Sequence, residues 1–408
     1  MSLKTLQHQI RLLAAIDLPM EQVVDILRNQ GVDQLKAISA GARIWLEPFE
    51  RLSWIQAWMK QGPLPGDPTM EKVSASMRNL GIHPLSLFLS ARSPEELEGY
   101  RPFLRHHLCR GKVTWKSESP PRGTFTWDLW KPHILLQGKG NRLELPDNLL
   151  VRTPLRLRDW DFWKGWPRRF HADVPILLER CRIRAPFPSD FIMGPALLAI
   201  HCDGLTNLPR GLKMARLEDC DTSRLASFHP LLDLTLMRCR RLSELDVSLN
   251  PRCLWVFKCP RIRRLPSFPD LATFTFDGAA HPPRFSMDHT LTHVYLSKLT
   301  KMRVFPTDFP PTGRLTLDRC LRLASLDGIR NPLIELNLAD CPNVKQLPFS
   351  MRVANLRLHR SNLEVLPHDL GLERLSANDC PHLQELGIRP ENLAKLEVSC
   401  CPHLDHGG

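Results

Sequence analysis

One feature constrains this chain more than any other. From residue 131 onward, two apolar residues with a single residue between them return about every 20 positions. The series opens with Ile134/Leu136, Leu155/Leu157 and Ile176/Leu178, then passes through Leu198/Ile200, Ala215/Leu217, Leu234/Leu236 and Leu254/Val256. It continues with Phe274/Phe276, Val294/Leu296, Leu315/Leu317, Leu336/Leu338, Leu356/Leu358, Leu375/Ala377 and Leu396/Val398, in steps of 17 to 22 residues. With 43% of the chain apolar, such a run of doublets would arise by chance on the order of once in ten billion. Self-similarity at this period marks an array in which no unit buries its own apolar face and each stacks on the next.

Each unit carries more than the doublet. Three positions after its second apolar residue stands a small or polar residue, and in many units this is a cysteine: Cys181, Cys220, Cys239, Cys259, Cys320, Cys341, Cys380 and Cys401. Further apolar positions follow, often with proline behind them, as in Leu208-Pro209, Leu265-Pro266, Leu347-Pro348 and Leu366-Pro367. The full unit reads LxLxxCxxLxxLP and is clearest in LNLADCPNVKQLP. This unit resembles the leucine-rich repeat of the short type found in bacterial type III-secreted effectors, and its cysteine-and-LP form is similar to that of plant immune receptors. The resemblance covers residues 131–408 and implies an α/β solenoid. That fold is a leucine-rich repeat horseshoe with a parallel concave sheet and an extended or 3-10 convex side. Cysteine stands here where the family more often carries asparagine, which suggests a softer internal ladder, because a thiol is a weak donor.

Elementary geometry agrees with the resemblance. Side chains alternate along a strand, so the doublet turns inward while the residues beside it turn outward. A 20-residue turn leaves about ten residues for the return path, too few for a helix with two loops. With proline at its start, that path should be extended or 3-10. Thirty-six prolines in 408 residues oppose a helical bundle, since each one removes a backbone donor. The short step before Leu217 and the rung around Phe276 are expected to be irregular. Val113/Trp115 reads as a degenerate opening rung inside a transition at 111–130.

Residues 1–110 lack the period. Segments such as LKTLQHQIRLLAAI, PMEQVVDILRNQG and PFERLSWIQAWMKQ read as amphipathic helices punctuated by Gly or Pro. The expectation is an α-helical N-terminal domain that caps the first rungs, as solenoids require. No apolar run approaches the length of a membrane span. The N-terminus lacks the long apolar core and cleavage site of a secretory signal. The 12 cysteines are therefore expected to be reduced in a cytoplasmic protein, with export by a non-classical secretion system left open.

The chemistry on offer is thin. Cys380-Pro-His382 and Cys401-Pro-His403 bring zinc-ligand types one rung apart. Yet Cys259-Pro-Arg261 and Cys341-Pro-Asn343 show that Cys-Pro belongs to the repeat, so neither metal nor cofactor is expected. Cys220, Cys239 and Cys259 are expected to be buried free thiols. Cys109, near His106 and His107, lacks a placed third group for a nucleophile reading. No phosphate-cradling glycine loop, HExxH or GxSxG appears. Several effectors of the resembled type carry a ubiquitin-ligase domain after the array. The last rung lies close to residue 408, so no such domain is expected after it here.

Register alone nominates a binding face. Beside the doublets stand Arg216, Arg238, Lys258, Lys298, Arg319, Arg357 and His359, with three aromatics, Trp255, Phe257 and Tyr295, near mid-array. Aromatics and arginine dominate interface hot spots. With 55 basic against 43 acidic residues and a net charge of +12, the expected partner is a protein with an acidic surface. The expected function is a non-catalytic interaction scaffold with no small-molecule substrate and no membrane insertion. Two alternatives are the substrate-recognition part of a ubiquitin-ligase-type effector lacking its catalytic domain, and nucleic-acid binding through basic residues. The second is disfavoured because Glu218, Asp219, Asp277 and Asp318 are mixed among the bases of this face.

Overall fold

The computed structural model describes residues 83, 85–98, 112–116, 133–142, 145–286, 290–387 and 393–404, with isolated positions between 22 and 56. The described residues form a parallel β-solenoid of about 13 turns. The chain divides into two compact units, Met1–Ala196 with Pro209–Gly211, and Leu197–Leu208 with Leu212–Gly408.

In the second unit, strands Met214–Glu218, Asp233–Met237, Cys253–Phe257, Thr273–Asp277 and Leu291–Ser297 pair in parallel, each with the next. The ladder continues through Thr312–Asp318, Leu333–Ala339, Val353–His359, Arg374–Asn378 and Lys395–Ser399. The doublets are direct register partners, so that Leu234 lies opposite Leu254, and Leu254 opposite Phe274. Leu236, Leu317 and Leu338 are each 0% exposed. The return path includes short strands of two to four residues, such as Arg224–Ser227 and Glu244–Leu245, and a 3-10 turn, Val247–Leu249, capped by the Asp246 side chain, as proline-rich connections favour.

Two ladders lock the rungs together. In the second unit the residue two positions after each doublet adopts the left-handed conformation, as at Asp219 (φ 51°), Arg238 (φ 55°), Lys258 (φ 53°), Lys298 (φ 53°) and Arg319 (φ 51°). A non-glycine residue there costs about 1–2 kcal/mol. The conformation aims its N–H at the next rung: Arg238 donates to the Phe257 carbonyl at 2.8 Å, Lys258 to Asp277 at 2.8 Å and Arg319 to Ala339 at 2.9 Å. One residue later the buried cysteine donates back to the previous rung, Cys220 to the Ala199 carbonyl at 3.4 Å and Cys341 to Leu317 at 3.6 Å. A thiol therefore fills the place an amide side chain could take, with weaker bonds of the same direction.

In the first unit, His133–Arg142, Leu155–Phe162 and Ile176–Glu179 are parallel neighbours. Phe162, Trp166, Phe187, Phe191 and Phe170 form one aromatic cluster of stacked, tilted and edge-on rings, with centroids 4.2–5.3 Å apart. The short helix Leu85–Phe88 and the turn after it join this unit. The Ser86 hydroxyl accepts from the Leu150 N–H at 2.9 Å, and the Leu89 carbonyl accepts from Arg152 and Thr153.

Three expectations are corrected. Lys112–Lys116 pairs antiparallel with His133–Arg142, placing Val113 opposite Leu136 and Trp115 opposite Ile134, so it is not a parallel opening rung. The Phe274/Phe276 rung is regular and in register with both neighbours. The doublet assigned to Leu198/Ile200 is Leu197/Ala199: His201 takes the left-handed turn (φ 52°). Cys202 then becomes a further rung cysteine, its Sγ 3.4 Å from the Ile200 carbonyl. Apolar neighbours on both sides hid this one-residue slip. The proposed helical domain over residues 1–110 lies largely outside the described residues, as does Cys109.

Candidate functional site

The aromatic group sits where alternation places it. Leu254 and Val256 are buried while Trp255 between them is 40% exposed. Trp255 is the register partner of Thr275, and Thr275 of Tyr295. The two rings therefore stand two rungs apart, about 10 Å. Phe257 and Tyr295 are half-buried. The Tyr295 hydroxyl donates to Asp318 Oδ2 at 3.0 Å. Burial, and after it the Asp318 carboxylate, push the Tyr295 phenol up from its ordinary value, so it remains a donor at neutral pH.

The charged residues of the face are mostly partnered within the array. Arg216 departs from the expectation of exposure: it is 5% exposed, bonded to Glu218 at 3.2 Å and 3.8 Å from Met237 Sδ. Arg238 reaches Glu218 at 2.5 Å and Asp219 at 2.7 Å. Its guanidinium holds the Asp219 carboxyl below its ordinary value, and the carboxylate in turn raises Arg238. Lys298 pairs with Asp277 at 3.3 Å, Arg319 with Asp318 at 3.1 Å and Arg357 with Glu335 at 3.1 Å. His359 Nδ1 lies 4.0 Å from Asp379. Lys258 is exposed and makes no ion pair among the described residues. The structure thus gathers Trp255, Phe257, Lys258 and Tyr295 into one open group, with Arg238, Lys298 and Arg319 as a neutralised surround. Arg357 and His359 lie further along the sheet.

Asp318, which the sequence placed only among the acids of this face, is its hub. Buried, it accepts from Tyr295, from the Ser297 hydroxyl at 3.0 Å and from Arg319. Its position one residue after the Leu317 doublet marks it as outward-facing, but the three donors come from three different positions of two rungs.

The rung cysteines form a buried column. The cysteines among the described residues are free. Burial pushes the Cys380 thiol up to about 11, which keeps it protonated and non-nucleophilic at neutral pH. Cys380 and Cys401 point into the core while His382 and His403 are exposed. Among the described residues no group of three or more His, Cys, Asp or Glu side chains could hold a metal ion. No family model matches the chain, and neither does any curated protein or solved structure.

Proposed function

We propose that this chain is a leucine-rich repeat protein of the short type, with an α-helical N-terminal cap, that binds a protein partner on the outward face of its main sheet without catalysing a reaction. The carrying observation is Trp255, exposed between two fully buried neighbours and two rungs from Tyr295. An exposed indole beside half-buried rings, surrounded by charges already paired with one another, has the form of a hot spot inside a polar rim. The pre-paired rim needs little reorganisation when a partner arrives, which keeps the cost of association low. Lys258, adjacent to Phe257, is the cation left to meet a carboxylate on an acidic partner. Free buried thiols suit a reducing, cytoplasmic setting.

The test is partner capture by the intact chain against the Trp255→Ala/Tyr295→Ala double variant. The expected outcome is an unchanged fold by circular dichroism and partner binding weakened by about 2 kcal/mol or more per hot-spot ring. A double variant that unfolds would show the rings to be part of the core and end the site assignment.

A further inference from the structure

Away from the sheet face, on the loops that leave each strand, the second unit carries a different arrangement of charge. Counting five positions beyond the second residue of each doublet, consecutive rungs present Arg241, Arg261, His281, Lys301 and Arg322. Beside this column stand Arg263, Arg303 and Lys345, seven positions beyond the doublet in their own rungs. All are exposed. The loops are held in register by their own bonds: Arg284 N–H donates to the Arg263 carbonyl at 2.9 Å, Lys301 to Ala280 at 2.9 Å and Ala324 to Arg303 at 2.7 Å. Arg264 and Arg284 are direct register partners.

Two grooves run through this edge. One, of about 700 Å³, is lined by Arg263, Arg284 and Lys301, with Asp308 as its acidic residue. The other, of about 880 Å³, is lined by Arg303, Arg322 and Lys345, with Glu364 as its acidic residue. Arg241 bonds Asp221 at 3.1 Å. Arg261, Arg263, Arg284, Lys301, Arg303 and Arg322 make no ion pair among the described residues.

Like charges stacked on neighbouring rungs repel one another, and aligned strands normally avoid them. Cations recur from rung to rung along this edge, Arg261, Lys301 and Arg322 in the column with Arg263, Arg284 and Arg303 beside it, at about 4.8 Å per rung, and such a row is relieved by a ligand that carries negative charge at regular intervals. A nucleic-acid backbone is such a ligand, and arginine is the side chain best shaped to meet its phosphates. The loop segments 240–244, 260–264, 280–284, 300–304, 321–325 and 342–346 contain no Phe, Trp or Tyr, so the edge offers no platform on which unpaired bases could stack. We infer that this edge binds double-stranded nucleic acid along its phosphate backbone, without reading base sequence. The mixed charges of the sheet face argued against a nucleic acid; the loop edge is a separate surface with a nearly uniform sign.

The probe is a fluorescent DNA duplex of about 20 base pairs, titrated with the full chain at 50–200 mM salt. For five phosphate contacts the expected slope of log K against log salt is about −4.5, a weakening of roughly 500-fold across that range. The variant Arg261→Gln/Lys301→Gln/Arg303→Gln/Arg322→Gln keeps its melting temperature, because all four residues are exposed, and its slope falls to about −0.9. The Trp255→Ala/Tyr295→Ala variant binds the duplex unchanged, which separates this surface from the protein-binding face. Absence of binding at 50 mM salt overturns the inference, as does equal loss of binding in the sheet-face variant. Tighter binding of a single strand, or equal competition by polyglutamate of matched charge, overturns the assignment to a duplex backbone.

Discussion

The outward face of the main sheet and the loop edge of the second unit are both rich in arginine and lysine, yet they handle that charge in opposite ways. On the sheet face Arg216, Arg238, Lys298, Arg319 and Arg357 each meet a carboxylate of their own or an adjacent rung. On the loop edge Arg261, Arg263, Lys301, Arg303 and Arg322 meet none among the described residues. The difference teaches that count and sign of charge are poor guides to a binding surface. What matters is whether the fold has already supplied a counter-ion. Paired cations behave as part of the scaffold, and the binding role proposed for that face falls to the aromatic rings. Unpaired cations held in a row leave the counter-ion to be found in a ligand.

This contrast can be broken in several ways. The largest effect is expected in the floor that both regions share. Leu317→Ala, at a fully buried doublet position, should cost about 2–5 kcal/mol in denaturant unfolding, and a smaller loss would mean the rungs are not close-packed there. Next comes the hub of the sheet face. Asp318→Ala leaves the Ser297 hydroxyl, itself 1% exposed, and Arg319 without their acceptor, and should cost about 1–3 kcal/mol. Retained stability would show the paired charges to be dispensable.

A pH titration sharpens the same point. The Asp219 carboxyl is held below its ordinary value by Arg238, so its contribution to stability is present above about pH 4 and lost as pH falls through the depressed folded value. The pair is partly exposed, so the contribution is expected at about 0.2–1 kcal/mol. Chemical denaturation of the wild type and of Arg238→Gln should differ by that amount at neutral pH and converge in acid. A gap that persists at low pH would assign the effect of Arg238 to packing. The smallest effect is expected at the edge: Arg263→Gln should change stability by no more than about 0.5 kcal/mol. A larger loss would mean that this arginine has a structural partner and that the edge is scaffold too.

Much of the fold was legible because its defining signal is a period. Leucines at fixed spacing, alternating with polar neighbours, turn inward in any stacked strand, so the doublets at Leu234/Leu236 and Leu315/Leu317 could be assigned without coordinates. Cys239 and Cys320 were placed inside by the same register. The assignment slipped where the pattern was degenerate: in ALLAI, residues 196–200, four consecutive buried residues gave alternation nothing to choose between. The left-handed turn at His201 and the bond from Cys220 to the Ala199 carbonyl settled it. Trp255 was legible as outward-facing for the same reason that Leu254 was legible as inward-facing. The column from Arg241 to Arg322 lies in the loops, where strand alternation says nothing about which way a side chain points.

The sequence by itself determined which side chains form the interior and roughly how many rungs stack, because strand geometry ties the direction of a side chain to its place in the repeat. It did not determine which charges cancel. Arg238, half-buried, and Arg261, exposed, are both arginines shortly after a doublet. One closes on Asp219, 2.7 Å away, and the other meets no carboxylate among the described residues. Only the stacking of rungs and the left-handed turn at the end of each strand bring residues some 20 positions apart within bonding distance, and those distances exist only once the chain has coiled upon itself.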